Sequence, residues 1–184
     1  MNTGQMLTVI GALVVLSMVT LNVNKVLVDK STTMLDAEAG LNAVSIAQTM
    51  LDEIMTKAFD AATVTQKVYD NEMYKLTASG SLGRSSLEAS NVPLPDPMPE
   101  GFKQYKSDKY YNDVDDYHLY RRVFRSIRLG DFTVRDSVLY VLETNPDQKS
   151  STQTFMKKVV VTVSHYTMSS PLKLSEVAVY RRYF

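Results

Sequence analysis

Met6-Leu7-Thr8-Val9-Ile10-Gly11-Ala12-Leu13-Val14-Val15-Leu16-Ser17-Met18-Val19-Thr20-Leu21-Asn22-Val23 is the stretch on which the rest of the chain has to be organised. It carries no charge, and the first charged side chain is Lys25. As a helix, these residues span ~27 Å at 1.5 Å each, close to the ~30 Å hydrocarbon core of a bilayer. Their Leu, Ile and Val side chains favour insertion by roughly 3 to 6 kcal/mol in total, before the cost of Thr8, Ser17, Thr20 and Asn22 is subtracted. Insertion is therefore favourable but reversible, which suits a segment that enters a bilayer and leaves it for an equally apolar protein surrounding. A secretory signal needs a basic start, a shorter apolar centre and a small-x-small cleavage site. Met1 to Gln5 and Leu21 to Lys25 offer none of these. A core helix in a small domain is apolar on one side only.

The helical pattern continues past Lys25. No Pro occurs before Pro93, and Ala37, Leu41, Val44, Ala47, Leu51, Ile54 and Ala58 recur at steps of three and four, the spacing of a single helix face. Asp36, Glu38, Asn42, Gln48, Asp52, Glu53 and Lys57 occupy the other faces. The reading is one helix from about Thr3 to Phe59, ~85 Å long. Its first half, residues 1–30, is apolar all round, and its second half, 31–60, is amphipathic. The residues that follow cannot bury a helix of that length, so half of it must meet a membrane or other copies of itself.

Residues 61–184 read as a β domain. Lys67 to Thr77 is a weak strand candidate, and 79–109, with Pro93, Pro95, Pro97 and Pro99 at alternate positions, reads as an extended surface loop. Phe132 to Glu143 is a strand, and Asn145-Pro146-Asp147 is the turn that follows it. Phe155 to Tyr166 sets Phe155, Val159, Val161 and Val163 on one face. Leu172 to Phe184 alternates to the end of the chain. These predict consecutive antiparallel strands whose second layer is the Ala37–Ala58 stripe. The fold class is α+β: a long N-terminal helix whose apolar half projects and whose second half packs on a C-terminal antiparallel sheet.

Composition narrows the chemistry. The chain has 20 basic and 20 acidic residues, and so lacks the basic excess of a nucleic-acid binder. With no Cys there are no disulfides, thiol nucleophiles or cysteine zinc sites, and His118 and His165 are the only imidazoles. No catalytic triad or phosphate loop is recognisable, so no enzyme activity and no cofactor are expected. Asp113, Asp115 and Asp116, with Asn112, present hard oxygens that would suit Ca²⁺, but the run lacks the Gly and distal Glu of an EF-hand loop. An Asx-turn, or pairing with Arg121, Arg122 or Arg125, is the preferred reading. The basic run Arg121, Arg122, Arg125 and Arg128 reads as a solvated strand face. The tyrosines at 105, 110, 111, 117 and 120 suit either a partner surface or a covered sheet edge.

The whole arrangement resembles type IV pilins and type II secretion pseudopilins. Ala43 to Ile54 resembles the helix segment of minor pilin-like proteins. Asn112 to Tyr117 is similar to an Asp-Val-Asp-Asp-Tyr element of some minor pilins, and Lys157 to Val163 with Leu172 to Val177 resembles the last hairpin of minor pseudopilins. The resemblance implies a structural subunit of an extracellular filament, assembled from the membrane after cleavage by a prepilin peptidase and handled by an inner-membrane machinery. It implies self-association as a helical homopolymer, with Gln5, Val9, Gly11, Ala12, Val14, Ser17 and Leu21 packing in the filament core. The family usually carries Glu at the fifth mature position, paired with a neighbour's terminal amine. With Met1 as the mature end, Gln5 stands there and offers a hydrogen bond without charge. With Gly4 before the cut, the position falls to Val9. A membrane-anchored minor pilin or adhesin-type binding module is the alternative.

Overall fold

The computed structural model describes residues 2–98, 101 and 104–180. Met1, Pro99 and the last four positions of the expected Leu172–Phe184 strand lie outside them. One helix, α1 (Thr3–Met55), is followed by α2 (Ser86–Asn91), α3 (Lys106–Tyr110) and the strands β1 (Arg121–Ser126), β2 (Gly130–Leu142), β3 (Asn145–Lys149), β4 (Met156–Ser164) and β5 (Leu172–Val179). All strand pairs are antiparallel, in the order β1-β2-β4-β5, with β3 folded back on the end of β2. The second half of α1 lies against β4 and β5. This is the α+β arrangement that the pilin resemblance implies.

Helix α1 runs uninterrupted for ~80 Å because the stretch lacks Pro and is rich in Leu, Met, Ala and other good helix formers. It stops at Met55, short of the expected Phe59. Ala58 leaves the helix to form a parallel bridge with Asp113, its N–H donating to the Asn112 carbonyl oxygen and its carbonyl oxygen accepting from Val114 N–H. Along the sheet, alternate residues face inward: Phe132, Val134, Asp136, Val138 and Tyr140 on β2, and Lys157, Val159, Val161 and Val163 on β4.

The helix meets this sheet on a face that shares its C-terminal part with the expected one and departs from it before Val44. Ala39, Ala43, Ala47, Met50, Leu51 and Ile54 are buried. Of the expected stripe, Ala47, Leu51 and Ile54 are in contact, Val44 is half-buried, Ala58 lies beyond the helix, and Ala37 and Leu41 face outward. Leu41 is 75% exposed. At 100° per residue, Leu41 sits almost opposite Ala43. The sheet supplies the bulk, with Val, Phe and Tyr pointing inward, so the backbone of α1 approaches it along three alanines.

Three other local expectations are corrected. Lys67 to Thr77 contains a 3₁₀ turn at Asp70–Lys75 instead of a strand; Glu72 accepts from Tyr69 N–H and pairs with Lys75 at 2.6 Å, local bonds that compete with a ladder. The Pro-rich stretch carries the short helices α2 and α3, the first capped by Ser85 and Glu88 in reciprocal hydrogen bonds. The turn after β2 falls on Glu143-Thr144, and Asn145-Pro146-Asp147 begins β3, whose edge position tolerates Pro.

Candidate functional site

Every residue from 2 to 35 is exposed. The expected core-packing residues Gln5, Val9, Gly11, Ala12, Val14, Ser17 and Leu21 all lie on this projecting, ~50 Å length of α1. It is long and apolar enough to cross a membrane. Three of its polar side chains are less costly there than composition suggests. Thr8 donates to the Gln5 carbonyl oxygen at 2.9 Å, Ser17 to that of Leu13 at 2.8 Å and Thr20 to that of Leu16 at 2.8 Å. Hydroxyls bonded back to their own helix leave no donor stranded in hydrocarbon. A Cβ added at Gly4, Gly11 or Gly40 would meet nothing within 4 Å, so the chain's own fold does not call for these glycines. Further apolar side chains crop out beside the emerging helix: Ile127 is fully exposed at the β1–β2 turn, where Arg128 pairs with Glu38 of α1 at 3.2 Å.

Below the projecting half, two buried charge clusters fasten α1 to the domain. In the first, the Arg122 guanidinium donates to both carboxylate oxygens of Glu53, at 2.7 and 2.9 Å, to Ser107 Oγ at 2.9 Å and, through Nε, to Tyr120 Oη at 3.0 Å. It stacks 3.7 Å from the Tyr105 ring. Tyr117 donates to Glu53 at 2.8 Å, and Tyr120 to the buried Asp96 at 2.9 Å. The solvated basic face expected here holds for Arg121, Arg125 and Arg128, which are exposed, and fails for Arg122. Of the two tyrosine readings, the covered one holds for three residues. Tyr111, Tyr117 and Tyr120 pack edge to face around one point, at centroid distances of 5.0 to 5.5 Å, and are buried.

The second cluster surrounds Lys157, whose ammonium contacts Asp115 at 2.6 Å and Asp60 at 2.8 Å. The acidic run does not pair with the arginines. Asp116 Oδ2 accepts from the Asn112 and Asp113 N–H groups, and Asp113 Oδ1 from Asp116 N–H, so two of the three carboxylates close their own turn. The third, Asp115, reaches Lys157. Among the described residues, no group of three or more His, Cys, Asp or Glu is arranged to hold a metal ion. Burial, then the Asp115 and Asp116 charges, push the Asp113 acid up to about 8. Burial raises Asp116 to about 6 against the pull of its two N–H donors. Asp136, inward on β2, is pushed well above the usual range by burial, and neither of its carboxyl oxygens has a hydrogen-bond partner among the described residues. His118 accepts from Val138 N–H at 3.2 Å and so helps to hold β2.

A closer reading of the alternation would have found Lys157. The period of two that places Phe155, Val159, Val161 and Val163 inside includes position 157, and a lysine there requires buried anions. Glu53 and Arg122, 69 residues apart, left no such trace. No protein-family model, no curated protein and no solved structure matches the chain.

Proposed function

We propose that this chain is a structural, non-enzymatic subunit of an extracellular type IV pilus-like filament, held in the membrane before assembly and polymerised through its apolar half-helix. The observation that carries the reading is the unbroken exposure of residues 2–35 on a helix whose second half is firmly seated. The mechanism is an exchange of one apolar surrounding for another: hydrocarbon before assembly, neighbouring helices after it. Gly11, Ala12 and Ser17 permit close helix approach, and a head-to-tail contact that does not close yields a fibre. Copies of the same chain are the main partner, with a prepilin peptidase and a membrane assembly machinery upstream. The adhesin alternative drew on a tyrosine surface, and three of those tyrosines are buried.

Val14→Asp tests the reading. Residue 14 lies ~37 Å along the helix from Ala39, its first buried residue, so the sheet domain should fold unchanged. A carboxylate at the centre of the segment costs roughly 2.5 to 3.5 kcal/mol in an apolar surrounding. Electron microscopy of surface material should show no filaments from cells producing this variant and abundant filaments from wild type. Filaments of normal abundance with Asp at this position would overturn the proposal.

A further inference from the structure

Lys157 points from β4 into the core and has no exposed surface. Its Nζ donates to Asp115 Oδ1 at 2.6 Å, Asp60 Oδ2 at 2.8 Å and the Phe59 carbonyl oxygen at 2.8 Å, which uses all three ammonium hydrogens. The rings of Phe59 and Tyr140 flank it, with Nζ 4.6 and 5.1 Å from their centroids. A lysine amine and two carboxyl groups are thus held in contact in a dry, aromatic-walled pocket. Side chains fixed at this separation react at effective concentrations far beyond those of free groups.

The two carboxyls differ. Asp60 also accepts from Ala62 N–H, Thr77 N–H and the Tyr140 hydroxyl. Burial alone would raise its acid, but the Lys157 charge and hydrogen bond, with the Ala62 and Thr77 N–H groups, outweigh burial and hold it below the usual range. Asp115 shows the opposite balance: burial dominates, Lys157 only partly offsets it, and the acid is raised. The roles follow from position: Asp115 lies closest to the Lys157 Nζ, at 2.6 Å, while Asp60, at 2.8 Å and fixed by its other donors, is the second acceptor in reach and, with its acid lowered, holds a proton only briefly before passing it to the departing oxygen.

We infer that Lys157 and Asp115 form an intramolecular isopeptide bond, with Asp60 as the proton carrier. Asp60 accepts a proton from the Lys157 ammonium, which frees the Nζ lone pair to attack Asp115 Cγ. The N–Cγ bond forms and one carboxyl oxygen departs as water. Of the two protons on that water, both come from the original ammonium, one of them carried by Asp60. An ammonium and a carboxylate become an amide and a water molecule, with no change of oxidation state and no co-reactant. The link joins positions 42 residues apart and ties β4 to the acidic turn that bridges to Ala58, three residues past the end of α1. It would brace the junction between helix and sheet whether or not the chain polymerises.

Mass spectrometry of the full chain, purified in detergent, tests this. Wild type should weigh one water less than its sequence requires, relative to a Lys157→Arg variant with the same processing. Its protease digest should contain a branched peptide joining the segments around Asp115 and Lys157. Asp60→Asn should lower the linked fraction at least tenfold in freshly made protein. A wild-type mass with no deficit overturns the inference, and needs no variant to fold. A deficit that persists in Lys157→Arg also overturns it, since that is aspartyl cyclisation, and a branch mapped to Asp60 overturns the assignment of the electrophile.

Discussion

The Glu53–Arg122 pair is where α1 is fastened to the sheet, and its energetic weight can be worked out from its contacts. Both side chains are nearly buried, with side-chain exposures of 13% and 6%. Arg122→Met keeps the volume and removes the charge. It strands the Glu53 carboxylate with two donors, Tyr117 at 2.8 Å and Ser107 at 3.2 Å. Removing one partner of a buried pair costs about 3 to 5 kcal/mol, and these two remaining donors place the loss near the lower end, about 3 kcal/mol. Glu53→Gln alone leaves the guanidinium unpaired and should cost a similar amount. The double variant should be better than the sum of the two, because the amide oxygen introduced by Glu53→Gln still accepts from Tyr117 and Ser107 and no buried charge remains. The coupling energy should then be about 3 kcal/mol. Urea unfolding of the full chain in detergent, followed by near-ultraviolet circular dichroism, reads this directly. The chain has no Trp, so the signal reports on tyrosines, three of which surround the pair. With slopes of roughly 1 to 3 kcal/mol per molar urea, the Arg122→Met midpoint should fall by about 1 to 3 M. Additivity of the two single variants to within about 0.5 kcal/mol would refute the reasoning.

Three more outcomes follow from burial and charge. Leu41→Asp should leave unfolding unchanged while reducing filament yield, since Leu41 faces away from the sheet. Ala43→Leu should destabilise by about 1 to 3 kcal/mol, because the helix approaches the sheet along that alanine; equal effects of the two on stability would mean the packed face is misassigned. Stability should also depend on pH in an unusual direction. The acids of Asp113, at about 8, and Asp116, at about 6, lie above the ordinary 3.8, so between about pH 4 and 8 the folded state binds more protons than the unfolded one. Stability therefore falls as pH rises through that window. Asp60, depressed below 3.8, acts oppositely, and its contribution is lost as pH falls through its folded value. Thermal midpoints measured across this range should decline toward pH 8 in wild type and flatten in Asp113→Asn; an unchanged slope in that variant would remove Asp113 from the account.

The long helix, its uncharged half and the antiparallel strands were legible because each is written in local pattern. Eighteen residues without charge need an apolar surrounding wherever they are, and alternation on β2 and β4 is a period that neighbouring residues reveal by themselves. The face of α1 that packs was not legible in this way. Leu41 and Ala43 compete for the sheet, and hydrophobicity favours leucine, yet the shape of the opposing surface favours the smaller side chain. That surface is assembled from β2, β4 and β5, which exist as a surface only once folded. The fate of the charges was hidden for the same reason. Arg122 looked like one member of a basic run until Glu53 and Ser107 arrived beside it, and Asp115 looked like part of an acidic run until Lys157 did. Sequence alone determined that the first half of this helix is apolar all round and long enough to cross a membrane, because an uncharged run is written in consecutive residues. Tertiary structure alone decided which charges are removed from water and paired, because desolvation and Coulomb attraction depend on distances between residues that sequence separation does not constrain.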